Sequence, residues 1–176
     1  MVVAASEKDG DAGWAWATVP SVGTPDRAAA ERDIENLVAR YAELVDAGDF
    51  TGLGDLLSDA VFGGEGDAVV RGRELIEQTF RAMVRVYEDG TPRTKHVTTN
   101  INLEVDAGGE WATARSYVTV FQALPDLPMQ PIVAGRYQDR FERGPGGWRF
   151  VERRFTTDLV GDVSHHLKQG AAALRG

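Results

Sequence analysis

The chain has 176 residues, no cysteine, a formal net charge of −8 and a pI near 4.9. Without cysteine it has no disulfide and no thiolate metal ligand, which fits a reducing compartment, and the cytoplasm is the expected location. The acidic balance argues against nucleic acid as a partner, and neither a basic leader, an N-terminal apolar run nor about 18 uninterrupted apolar residues points to secretion or a membrane.

The length suits one hydrophobic core. Residues 1–25, "MVVAASEKDGDAGWAWATVPSVGTP", are rich in Gly, Ala, Ser and Pro and read as a flexible arm, with Trp14 and Trp16 its only anchors. Asp26 follows Pro25 as an N-cap, and Ile34, Leu37, Val38, Tyr41, Leu44 and Val45 recur at spacings of three and four. They predict an amphipathic helix ending near Gly48. A shorter helical piece is expected around "FTGLGDLLS", and "AVFGGEGDAVVRG" reads as a small hairpin turning on glycines. A third helix is predicted from about Arg73 to Tyr87, with Leu75, Ile76, Phe80, Met83, Val84 and Tyr87 on its buried stripe.

From Thr94 the period changes to two. Val97, Thr99, Ile101, Leu103 and Val105 share one face of a strand, and His96, Thr98, Asn100, Asn102 and Glu104 share the other. Three more long strands follow, "EWATARSYVTVFQAL", "PIVAGRYQDRFERG" and "GWRFVERRFTTDLV", joined by a Pro-rich "PDLPMQP" loop and by "GPGG". Helices first and an antiparallel meander afterwards mean α+β, with the helices on one face of the sheet. One domain is expected over residues 26–166, with 167–176 as a C-terminal tail. Strands whose two faces both need cover predict a homo-oligomer, a dimer or trimer, through the open face.

At this point the chain resembles the SnoaL-like branch of the nuclear-transport-factor-2-like superfamily. The resemblance spans roughly residues 28–166 and rests on "ARYAELVDAGDFTGLGDLLSDAVF", "GRELIEQTF", "KHVTTNINLEVD", "AGRYQDRFER", "GWRFVERR" and "GDVSHHL". It implies three N-terminal helices packed on a curved, mixed, mostly antiparallel sheet, a cone enclosing an apolar pocket. Function is not implied by fold, since such domains include dehydratases, isomerases, cyclases and proteins without chemistry.

His96 shares its strand face with Thr98 and Asn100, and an imidazole titrates where proton transfer at neutral pH is most efficient. Its bland alternative is a strand-end histidine facing water. Asp46 falls in the last turn of the first helix, where the helix dipole disfavours a carboxylate, so a compensating partner is expected: solvent, a loop amide, or the His96 imidazole. Dehydratases of the resembling family, and its hexachlorocyclohexane dehydrochlorinase, pair an aspartate with a histidine at positions matching Asp46 and His96. Tyr41 is either a satisfied core residue or a donor into the pocket; the resemblance makes it catalytic. Arg153 lies nearest the functional arginine of those relatives, while a steroid-isomerase mechanism is disfavoured because Gly64 and Ala134 stand where its acidic residues would fall.

Arg115, Arg136, Asn100 and Tyr117 are further candidates for lining the pocket and binding substrate, each with a solvated strand residue as its alternative. His165 and His166 make a poor metal site, since neighbours diverge and zinc needs four ligands; a cap on the pocket mouth or a subunit contact is expected. No phosphate loop or nucleophile elbow is present, and neither cofactor nor metal is expected. The resulting expectation is a cofactor-independent lyase or isomerase of dehydratase type acting on a hydrophobic, polycyclic or polyketide-like small molecule. Its alternatives are a polyketide cyclase using the same pair, a non-catalytic small-molecule binder, or a structural partner resembling the small subunit of ring-hydroxylating dioxygenases.

Overall fold

The computed structural model describes residues 27–64 and 69–170. The arm with Trp14 and Trp16, the Asp26 cap and residues 171–176 of the tail lie outside the described residues. Helix α1 (Arg27–Ala47) buries Ala30, Ile34, Val38, Tyr41, Leu44 and Val45, the stripe its spacing predicts. It stops where Gly48 takes a φ of 71°, a left-handed conformation that glycine adopts without steric cost. A side chain at Gly48 would also run into the Gly90 carbonyl. Asp49 then caps α2 (Phe50–Leu56), its carboxylate accepting the Gly52 N–H at 2.8 Å. The expected hairpin forms from β1 (Val61–Gly63) and β2 (Val69–Arg71).

Helix α3 (Arg73–Met83) is shorter than its periodicity predicts. Val84 turns extended and bridges to Leu167, so residues 84–87 leave the helix. Leu75, expected inside, is 48% exposed, whereas Ile76, about 100° further round the helix, is fully buried.

The remaining strands are β3 (Thr94–Val105), β4 (Trp111–Leu124), β5 (Leu127–Gly144) and β6 (Gly147–Val160). The sheet order is β2-β1-β6-β5-β4-β3, antiparallel throughout except for the parallel pair β1 and β6. "PDLPMQP" is not a loop. The chain reverses at Pro125 and Asp126, and β5 begins at Leu127, with Gln130 and Pro131 already paired to Gln122 and Phe121. Pairing to β6 begins only at Val133, so Pro128 and Pro131 lie where β5 has a free edge and a missing N–H breaks no ladder bond.

The uninterrupted alternation expected for β3 also fails. The register shifts between Thr99 and Asn102, and Asn100 takes a φ of 52°. Before this bulge Thr94, His96 and Thr98 are the more buried positions; after it Leu103 and Val105 are. Val97 and Ile101 are left exposed.

The core fills the space between the helices and the inner sheet face, where Ala112, Val118, Val120, Ile132, Phe141 and Phe150 meet the α1 stripe. This is an α+β cone: three helices on a six-stranded mixed sheet that does not close. None of the described helices is long and apolar enough to cross a membrane.

Candidate active site

Asp46 lies in the last turn of α1, where the helix's terminal carbonyls disfavour a carboxylate by about 0.3–1 kcal/mol. Three groups at the start of β3 offset this. The Thr94 hydroxyl donates to Asp46 Oδ1 at 2.8 Å, the His96 amide donates to Oδ2 at 2.9 Å, and His96 Nδ1 lies 2.6 Å from Oδ1. A carboxylate only accepts, so Nδ1 carries the hydrogen, and Nε2 is the basic nitrogen of the neutral ring. Both side chains are 9% exposed. Burial pushes the Asp46 carboxyl up, but the ring of His96 through its hydrogen bond and charge, its amide, and Thr94 together hold it below its ordinary value. A groove of about 610 Å³ runs beside the pair, its walls including Val38, Ala39, Ala42 and Ile101.

Tyr41 belongs to a second cluster. Five residues before Asp46, it projects about 140° away around the helix. Its ring lies 4.0 Å from the Arg153 guanidinium carbon, and Tyr137 covers that carbon at 3.8 Å. Arg153 is 0% exposed and donates through Nη1 to Asp139 at 3.1 Å across the β5–β6 pair. Three polar atoms here have no partner: Arg153 Nε and Nη2, and Asp139 Oδ1. Burial, opposed by Arg153, pushes the Asp139 carboxyl up to about 6. Burial and then Tyr137 raise the Tyr41 hydroxyl well above its ordinary value, so it is a hydrogen-bond donor at neutral pH. Burial opposes the Arg153 charge, but Asp139 and the two tyrosines outweigh it.

The four expected catalytic residues thus form two pairs, Asp46 with His96 and Tyr41 with Arg153. The register explains the separation: His96 aligns with Val120, Val133 and Val160, while Arg153 aligns with Asp139, Ala114 and Leu103. Among the described residues no hydrogen bond or ion pair joins the two.

The expected substrate-binding set lies elsewhere. Arg115, Tyr117 and Arg136 occupy the exposed phase of β4 and β5, on the sheet face away from the helices; Tyr117 is 54% exposed and Arg136 is paired with Asp158 at 2.8 Å. They do not line the interior because their strand neighbours Ser116 and Tyr137 do. Asn100 sits exposed at the β3 bulge. Arg154 also faces outward, bonded to Glu152 at 2.9 Å, consistent with alternation between adjacent arginines.

Sequence reasoning missed Thr94, Asp139 and Tyr137. Thr94 was legible, two residues before His96 on the same strand face. Asp139 also carried a signal, a carboxylate in the apolar phase set by Tyr137 and Phe141. His166, expected with His165 as a cap on the pocket mouth or a subunit contact, is 7% exposed, and burial followed by the charge of His96 lowers its ring to about 4, with Asp46 opposing. Among the described residues no three His, Cys, Asp or Glu side chains gather as a metal site.

The model of a SnoaL-like domain matches residues 26–154. Among solved structures, a nuclear-transport-factor-2-like protein with a cystatin-like fold from Novosphingobium aromaticivorans is 29% identical, with a TM-score of 0.62 over 79% of this chain and 88% of its own. A protein of unknown function from Mycobacterium tuberculosis is 26% identical, with a TM-score of 0.65 over 82% and 85%. A candidate scytalone dehydratase from N. aromaticivorans, 21% identical with a TM-score of 0.61 over 77% and 88%, shares the fold. No curated protein matches. With most of its length matched, this chain belongs to the SnoaL-like domain family.

Proposed function

We propose that the protein is a cofactor-independent lyase or isomerase of dehydratase type, acting on a hydrophobic, polycyclic or polyketide-like small molecule. The observation that carries this reading is the 2.6 Å contact between Asp46 and His96 Nδ1 beside a largely apolar groove. His96 Nε2 takes the acidic proton from the carbon next to a substrate carbonyl, and Asp46 stabilises the imidazolium that forms. The electron pair moves into the carbon–carbon bond, the β-carbon–oxygen bond breaks, and the departing hydroxide leaves as water with the proton returned from His96.

A cyclase would use the same abstraction and form a carbon–carbon bond instead of expelling water. The similarity to a candidate scytalone dehydratase adds a fold-level analogy for the dehydratase reading. The test is a panel of aromatic β-hydroxy ketones followed by the ultraviolet absorbance of the conjugated enone. Turnover that disappears in His96→Ala supports the proposal; a panel that binds but is not converted at any pH from 5 to 9 refutes it.

A further inference from the structure

The groove beside the Asp46–His96 pair has one wall from α1 and one from the start of β3. On α1, Glu35, Ala39, Ala42 and Asp46 follow one another at spacings of four, three and four, a single line down the helix on which only methyl groups stand between the two carboxylates. On β3 the inward phase holds Thr94, His96 and Thr98. It ends there, because the register shifts after Thr99 and the next residue to line the groove is Ile101. His96 commits Nδ1 to Asp46, so Nε2 is the nitrogen left for a ligand, and no hydrogen bond among the described residues engages it.

Removing a proton from the carbon next to a carbonyl turns the C–H electron pair into an enolate, whose charge gathers on oxygen and calls for a hydrogen-bond donor there. The polar residues of the groove can be taken in turn. Glu35 and Glu43, when ionised, only accept and would repel that charge. The Thr91 hydroxyl donates to Asp89 Oδ1 at 3.0 Å and accepts the Arg93 N–H at 3.2 Å, so it serves its own turn. Lys95 borders the groove, but it directly precedes His96, and strand alternation sends its side chain toward the exposed face. Thr98 remains. It is half-buried, lines the groove, and shares the inward phase with His96 at a distance of about 7 Å along the strand. Its hydroxyl has no hydrogen-bond partner among the described residues, and the alanines of the opposite wall cannot compete for its hydrogen.

We propose that Thr98 holds the carbonyl oxygen of the ligand, its hydroxyl donating to the oxygen that gains charge as His96 Nε2 removes the adjacent proton. This rests on the proton-transfer reading of the Asp46–His96 pair and adds an orientation: the carbonyl points along β3 from His96 toward Ile101, and the apolar body lies against Ala39, Ala42 and Ile101. The probes are 2-acetylnaphthalene, a flat ketone whose methyl protons are acidic, and 2-isopropenylnaphthalene, which has the same outline with CH₂ in place of oxygen. Affinity is read by fluorescence titration, and exchange of the ketone's methyl protons in deuterium oxide by NMR at low ketone concentration.

The expected result is that wild type speeds the exchange and His96→Ala does not. Thr98→Val, which keeps the shape and loses the hydroxyl, slows the exchange and weakens the ketone by about tenfold each, the worth of one such hydrogen bond. The olefin binds that variant within about twofold of wild type, and Thr98→Ser, which keeps the hydroxyl, restores both ketone readings. If wild type speeds the exchange but Thr98→Val leaves exchange or ketone affinity unchanged, or weakens ketone and olefin alike, this inference is overturned and the Asp46–His96 reading stands. If wild type does not speed the exchange, that reading falls and takes this one with it. Should Thr98→Val not fold, Thr98→Ala reads the same losses against the same olefin.

Discussion

Asp46→Asn tests the centre of the site. The native carboxylate accepts three contacts from Thr94 and His96, all largely withdrawn from water. Asparagine is nearly the same shape but offers one oxygen and turns an NH₂ toward a group that itself donates. The substitution forfeits one neutral hydrogen bond of about 1 kcal/mol and the charge-assisted bond to the imidazole, about 1.5–3 kcal/mol, so folding weakens by about 2–4 kcal/mol. That is a large share of the 5–15 kcal/mol typical of a domain, and it is read from urea unfolding at pH 7 as a lower midpoint with an unchanged slope. The NH₂ also favours donation to Nδ1, moving the ring hydrogen to Nε2 and removing the base. Ring ¹⁵N shifts report that tautomer change directly, and turnover falls by about 10- to 100-fold. A loss of stability below about 0.5 kcal/mol with an unchanged tautomer would mean that the carboxylate is solvated and does not hold the ring.

Three further outcomes are expected. Arg153→Met removes the charge that holds the buried Asp139 carboxyl down, so Asp139 takes up a proton and stays without its partner in the core at a cost of about 1–3 kcal/mol, whereas Arg153→Met with Asp139→Leu recovers most of it; equal losses in chemical denaturation would contradict the buried pair. Acid titration of stability has two opposed components. Asp139 titrates near 6 folded against about 3.8 unfolded, so the folded state takes that proton first and gains up to about 3 kcal/mol as pH falls from 6 to 4. His166 titrates near 4 folded against 6.5 unfolded, so the unfolded state takes that proton first and the fold loses about as much between pH 6.5 and 4. Asp139→Asn therefore uncovers a loss on acidification and His166→Gln a gain, and identical profiles in wild type and both variants would refute these assignments. Finally, Arg115→Ala and Tyr117→Ala leave turnover of the β-hydroxy ketone panel within about twofold, since both side chains lie on the face opposite the helices; a tenfold loss would place ligand on that outer face.

Period and turn chemistry made most elements readable. The α1 stripe, the glycine that ends it and the "GWRFVERRFTTDLV" strand follow from local rules that tertiary contacts did not override. The misplaced elements all answer to distant partners. Val84 leaves α3 to pair with Leu167, and the β3 phase flips at a bulge that Asn100 permits but does not announce. The prolines of "PDLPMQP" signal a loop anywhere except along a free strand edge. In the site, the need for something to offset Asp46 was visible from its place on the helix, and His96 supplies it. Arg115 and Arg136 lie on the outer face because an arginine in a strand says nothing of which face it takes until the strand's apolar phase is read: Arg153 replaces an apolar inward residue, while Arg115 and Arg136 do not.

The bridge from Val84 to Leu167 has a kinetic consequence, since beside it the Arg85 N–H donates to the His166 carbonyl and the Lys168 N–H to the Met83 carbonyl, both at 2.8 Å. Asp46 and His96 come from the first described helix and the middle of the chain, and the segment of His166 from its last described turn, so this region closes only when contacts distant in sequence form. Such closures are slow, because chain entropy is lost before the contacts repay it. The cone can therefore reach a state with helices and meander in place and the segment of His166 still undocked. Hydrogen exchange should find the Arg85 and Lys168 amides protected later during refolding than those of β4 and β5.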